Sequence, residues 1–146
     1  MPVNVLILCD FGTRRIGTVS DHLEAFKGYS QNEICIADVR SSHIMNIDFS
    51  IFDVVVLHYS IIISSESHVS SLMAGKIREF RGYKVLFIQD EYRWVDRTAA
   101  AIADLGVDLI YSVINEELID RVYHHGAIRQ VRRKATLTGF VPERLT

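Results

Sequence analysis

Tyr83 to Asp96 reads YKVLFIQDEYRWVD. In its first half Tyr83, Val85, Leu86, Phe87 and Ile88 fill five of six positions with apolar side chains. The second half breaks abruptly into Gln89, Asp90, Glu91, Tyr92, Arg93 and Trp94. A continuous apolar run of this length marks a central parallel strand covered by helices on both faces. Ligands of open α/β sheets lie just beyond the carboxyl ends of such strands. A carboxylate pair, an amide, an Arg and two aromatics at that point are therefore placed for binding or chemistry, although Asp and Arg after a strand also serve as helix caps and loop ion pairs.

Outward from this stretch, short apolar segments alternate with helix-like ones. Asn4 to Cys9 reads as a buried strand running into Asp10, Phe11 and Gly12. Thr18 or Ser20 is placed to cap a helix that carries Val19, His22, Leu23 and Phe26 on one face and stops at Gly28. Glu33 to Val39 is a second strand, with Ile34, Ile36 and Val39 set against one layer and Cys35 and Ala37 against the other. The polar segment up to Ser50 is too short and mixed for a long helix, and Val54 to His58 is a third strand. Ser64 to Ser71 reads as a loop and helix start, because its serines compete for backbone hydrogen bonds. Leu72 to Phe80 follows as a helix with Leu72, Ile77 and Phe80 inward, stopped by Gly82.

Beyond the opening stretch, Thr98 to Leu105 is an alanine-rich helix ended by Gly106, and Val107 to Val113 is a fifth strand. Asn115 caps a helix with Leu118, Ile119 and Val122 as its apolar stripe, and Ala135 to Thr138 is the last strand. The alternation predicts an α/β fold, a three-layer Rossmann-like domain with a mostly parallel central sheet of about six strands.

The 146 residues, 49% of them hydrophobic, have the size of a single domain spanning 1–146. A chain of that length buries roughly 70% of its unfolded surface and needs no disulfide or metal staple. The net charge of -2 gives no general attraction to nucleic acid. Cys9 and Cys35 lie in apolar runs without metal spacing, and the short apolar start meets Asp10 too soon for a secretory signal, so a reducing cytoplasm is expected. The hydrophobic stretch Phe52 to Ile63 is interrupted by His58, Tyr59 and Ser60 and reads as a core strand, not a membrane span.

Several α/β chemistries fail on their motifs. Asp10 to Gly17, DFGTRRIG, lacks the G-x-G-x-x-G of dinucleotide-binding domains. Gly12 and Gly17 have the spacing of a P-loop, but Thr18 stands where the phosphate-binding Lys belongs. A receiver domain needs further groups where His58 and Ser112 stand, a flavodoxin needs more hydroxyls than Thr13 after the first strand, and no G-x-S-x-G elbow occurs.

The later segments together, VLFIQDEYRWVD, AIADLGVDLIYSVINEELIDRVY and ATLTGFVPE, resemble the amino-terminal domain of GT-B-fold glycosyltransferases of the family 1 or family 4-like kind. In that resemblance Leu109 to Ser112 is a core strand, Asn115 to Val122 the helix after it, and Thr138 to Pro142 the exit into a second domain. Such enzymes close two Rossmann-like domains on a cleft, the first receiving the acceptor and the second holding most of a nucleotide-sugar donor. The resemblance therefore implies a second glycosyltransferase domain as partner, a small-molecule or glycan acceptor, no cofactor beyond the nucleotide-sugar co-substrate, and no turnover by this chain alone. Many family 4-like enzymes carry a His-Asp pair after the strand that matches Val85 to Ile88, whereas this chain has Gln89 and Asp90. Glutamine exchanges no proton near neutral pH, so a catalytic role moves to Asp90 or Glu91. Arg93 is suited to anchoring a phosphate or carboxylate.

Substrate-binding candidates beside Gln89 and Arg93 are Asp10, Gly12 and Arg14 after the first strand and His58 after the third, each with a structural alternative as turn ion pair or core histidine. His124 and His125 diverge by about 100° on a helix, so no metal site is expected. Arg129, Arg132, Arg133 and Lys134 form the densest basic cluster, a candidate for peripheral contact with anionic lipid, a phosphate-bearing acceptor or the second domain, or a solvated face. Without interleaved aromatics the cluster does not suggest nucleic acid. The alternative to a glycosyltransferase half is a stand-alone Rossmann-like or flavodoxin-like small-molecule-binding or regulatory module without catalysis.

Overall fold

A computed structural model of the chain describes residues 1–13, 15–124 and 126–137. Among these, six strands form a single sheet: β1 (Asn4–Cys9), β2 (Glu33–Asp38), β3 (Val54–Leu57), β4 (Tyr83–Ile88), β5 (Leu109–Ser112) and β6 (Arg132–Ala135). Their order is β2-β1-β3-β4-β5-β6 and every neighbouring pair is parallel. Four helices flank it, α1 (Gly17–Tyr29), α2 (Ser71–Glu79), α3 (Val95–Leu105) and α4 (Glu116–Val122). The expected α/β, Rossmann-like sheet is thus present, with β1 and β3 as the point where the strand order reverses.

Alternation along the strands sorts their side chains into two layers. Leu6, Leu8, Val55, Leu57, Leu86 and Ile110 pack with Met73 and Ile77 of α2 and with Ala99, Ile102 and Leu105 of α3. On the opposite face Val5, Ile7, Cys9, Val56 and Val85 pack with Val19 and Leu23 of α1. Among the described helices α1 alone packs into this second cluster, and Phe87, Leu109 and Tyr111 at its far side are only partly buried. The Phe87 and Tyr111 rings stack there at 4.8 Å.

Several elements depart from their sequence reading for identifiable reasons. The α1 helix begins at Gly17, so Thr18 and Ser20 fall inside its first turn, and the Ser20 hydroxyl donates to the Gly17 carbonyl instead of capping. β2 is an edge strand, which leaves Cys35 exposed, and Val39 beyond its end joins Ala37 in the first layer instead of Ile34 and Ile36. Between β2 and β3 the chain makes two 3-10 turns, Ser42–Asn46 and Phe49–Ile51, begun by side-chain caps from Ser41 and Asp48. Ser70 caps α2 by accepting from the Met73 N–H at 3.2 Å. That register turns Met73 inward and leaves Leu72 72% exposed, contrary to expectation. Asn115 caps α4 as read, but Leu118 is outside its buried stripe. The last strand comes earlier than expected, at Arg132–Ala135, because an edge strand tolerates a run of charges that a central strand, buried on both faces, does not. Thr138 to Pro142 lie outside the described residues.

Two sites explain how β4 is seated. Lys84 interrupts the apolar run yet is buried, its Nζ donating to the Leu105 carbonyl at 3.0 Å and so closing the carboxyl end of α3. At Gly82 a Cβ would overlap the Asp53 carbonyl oxygen and the Phe80 ring. That carbonyl accepts from the Tyr83 N–H at 2.9 Å and aligns β4 on β3. Gly82→Ala is expected to destabilise the fold by about 1–3 kcal/mol, as overpacking does. Urea denaturation checks this, and a midpoint equal to that of the parent would refute it.

Candidate functional site

Loops at the carboxyl ends of β1, β3 and β4 meet at one edge of the sheet. The β1 loop is a tight turn built on Asp10, which is 3% exposed. Its Oδ1 accepts from the Gly12 N–H at 2.8 Å, its carbonyl accepts from the Thr13 hydroxyl at 2.7 Å, and Oδ2 faces the Arg40 guanidinium at 3.4 Å. A Cβ at Gly12 would stand 3.0 Å from the Asp10 Oδ1, so the glycine lets the carboxylate fold over its own turn. Asp10 is thus directed inward.

From this turn a chain of hydrogen bonds crosses to α1. The Asp10 N–H donates to Ser60 Oγ at 3.0 Å. The Ser60 N–H donates to His58 Nδ1 at 3.1 Å, and the Ser60 hydroxyl lies 2.9 Å from the same nitrogen. His58 Nδ1 is therefore the acceptor and Nε2 carries the hydrogen, which points to His22 Nδ1 at 3.0 Å. His58 is fully buried, and burial, then the proximity of His22, push its pKa down to about 3. Burial lowers His22 in the same direction. Both imidazoles are neutral at pH 7, forming an ordered wire from the β1 turn to α1.

Tyr59 joins this wire to a second feature. Its ring lies 4.0 Å from that of His58, its hydroxyl donates to the Thr18 carbonyl at 3.1 Å, and it also lines a cleft of about 130 Å³ over the ends of β3 and β4. The cleft has an apolar floor of Ile61, Ile63, Leu86 and Ile88, and its polar rim comes from Gln89, Asp90 and Arg93 with Trp94. The rim loop is bent by two non-glycine residues of positive φ, Asp90 at 59° and Trp94 at 50°, and closed by the Arg93 N–H donating to the Asp90 carbonyl at 3.0 Å. Left-handed backbone costs an L-residue roughly 1–2 kcal/mol, and such strain concentrates at functional loops. The Asp90 carboxylate is exposed at the cleft and makes no hydrogen bond or ion pair among the described residues. The Arg93 guanidinium sits 4.7 Å above the Trp94 ring.

Glu91 points elsewhere. It is 6% exposed, and its Oε1 accepts from the Ser112 hydroxyl and from the Val113 N–H, tying the β4 loop to the end of β5. The buried Tyr123 hydroxyl, unpartnered among the described residues, is pushed up by burial and by the nearby Glu91 charge.

The structure therefore brings Gln89, Asp90 and Arg93 together at one cleft, while Asp10 and His58, both buried, and the exposed Gly12 lie in the adjacent β1 and β3 loops and do not line it. Glu91 is directed away from it, and Arg14 lies outside the described residues. His22 and Ser60 escape a reading of the sequence. Ser60 stands two positions from His58, but nothing local marks His22, which is 36 residues distant. In the basic cluster, Arg132, Arg133 and Lys134 prove to be β6 itself, and Arg133 is locked by Asp120 and by the Tyr123 and Ile128 carbonyls. Among the described residues no group of three or more His, Cys, Asp and Glu is placed to hold a metal ion, and no helix is long and apolar enough to cross a membrane.

Comparison with models of protein families, with curated proteins and with solved structures finds no match to this chain.

Proposed function

We propose that this chain is the acceptor-side domain of a two-domain GT-B glycosyltransferase, with Asp90 as the group that activates the acceptor hydroxyl. The observation that carries the reading is the unpaired Asp90 carboxylate, held by a left-handed backbone at the mouth of the cleft where β3 and β4 end. In the transfer, the acceptor oxygen bonds to the anomeric carbon of the sugar as the bond from that carbon to the nucleoside diphosphate breaks. The hydroxyl proton passes to Asp90 and the leaving group departs with the bonding electrons. Gln89 and Arg93 orient the acceptor, while a second domain supplies most donor contacts. Glu91 holds the loop from behind.

Saccharide binding seen by ligand-observed NMR should weaken at least about tenfold in Asp90→Ala, a loss of the size expected for one charged hydrogen bond. Nucleotide sugars should bind weakly or not at all. Saccharide binding indifferent to Asp90 would overturn the assignment.

A second reading rests on the strand order. The order β2-β1-β3-β4-β5 is the flavodoxin-like one, whose ligands sit between the ends of β1 and β3. There the wire of Ser60, His58 and His22 would meet a small molecule without catalysis. Tight binding of a flavin or free nucleotide, unchanged in Asp90→Ala, would favour this module over the glycosyltransferase.

A further inference from the structure

Resting on the acceptor-site reading, we propose that the acceptor bears an anionic oxygen group, a carboxylate or a phosphate, seated on Arg93 while a neighbouring hydroxyl faces Asp90. The rim loop places the two side chains three residues apart across a closed turn, both lining the same cleft. Neither satisfies the other. No ion pair joins them, and Arg93 has no acidic partner among the described residues.

Arg93 is nonetheless stacked on an aromatic face. Its guanidinium is held over one ring, Trp94, and Arg97 approaches the same ring at 6.0 Å while donating to the Ser64 carbonyl at 3.3 Å. A guanidinium stacked on an aromatic face keeps its N–H donors at its edge, where they match the two oxygens of a carboxylate or phosphate. The rotamer freedom of a long cationic side chain is then largely lost before the ligand arrives. Among the described residues that line the cleft, Arg93 is the one cation and Asp90 the one carboxylate, and they do not pair. A neutral sugar would leave that fixed cation unmatched. An acidic one matches it.

The test uses the whole chain and three probes, glucose, glucuronate and glucose 6-phosphate, titrated by ligand-observed NMR at low salt. At least one anionic probe should bind about tenfold or more tightly than glucose, and which one does so separates a carboxylate from a phosphate acceptor. Arg93→Gln should erase that ratio, Arg93→Lys should keep part of it, and the preference should fade as salt is raised. Asp90→Ala should weaken all three probes together. Equal binding of neutral and anionic probes, or a ratio unchanged in Arg93→Gln, would overturn the anionic acceptor. If glucose binding still depends on Asp90 in that case, the acceptor site itself stands. If none of the three binds, both fall.

Discussion

Acidification from pH 7 to pH 4 is expected to remove about 3 kcal/mol from the stability of the fold, with His58 as the main cause. This imidazole is fully buried between Ser60 and His22, and its pKa in the folded chain is about 3. In the unfolded chain it returns to about 6.5. Between those values the unfolded state holds a proton that the folded state refuses, so stability rises with pH. The contribution is fully present above about pH 6.5 and is lost as the pH falls towards about 3. His22 is lowered too and acts in the same direction. Urea midpoints at pH 7 and pH 4 measure the effect. In His58→Gln, which has no proton to gain, the difference between those midpoints should shrink sharply. Equal pH slopes in the two proteins would show that the acid sensitivity lies elsewhere.

Glu91→Ala is expected to cost about 2–4 kcal/mol, because it leaves the buried Ser112 hydroxyl and the Val113 N–H without their acceptor. Glu91→Gln keeps an acceptor oxygen and should cost about 1 kcal/mol. Paired thermal melts of the two variants check the difference. If both lose equal stability, the tether depends on charge rather than on acceptance. If neither does, the buried contact contributes nothing.

The sheet was readable in the sequence because burial on both faces requires apolar runs, which β1 and β3 have and β4 has apart from Lys84. The edges were less readable. β2 carries an apolar run like the central strands, so nothing in EICIAD announces that Cys35 is exposed. β6 reads RRKA, with no hydrophobic signal, and its place depends on pairing with β5. Leu72 and Leu118 looked inward by composition, but caps at Ser70 and Asn115 fixed the helix phase and turned both out.

The cleft was readable as a place and less so as a set of roles. A strand followed by QDEYRW locates it, while the opposite directions of Asp90 and Glu91 follow from a positive φ at Asp90, which adjacent carboxylates do not betray. The pairing of His22 with His58 is tertiary. Only the folding of α1 onto β1 and β3 brings those rings together.

The left-handed pair Asp90 and Trp94 has a further consequence for anyone who re-engineers this chain. Glycine is the residue that backbone energetics alone would select at both positions. A procedure that ranks substitutions by thermal robustness would accordingly favour replacing them, and would erase the carboxylate and the indole from the cleft while reporting an improvement. Hardening this scaffold safely means freezing those two positions and seeking gains on the far side of the sheet.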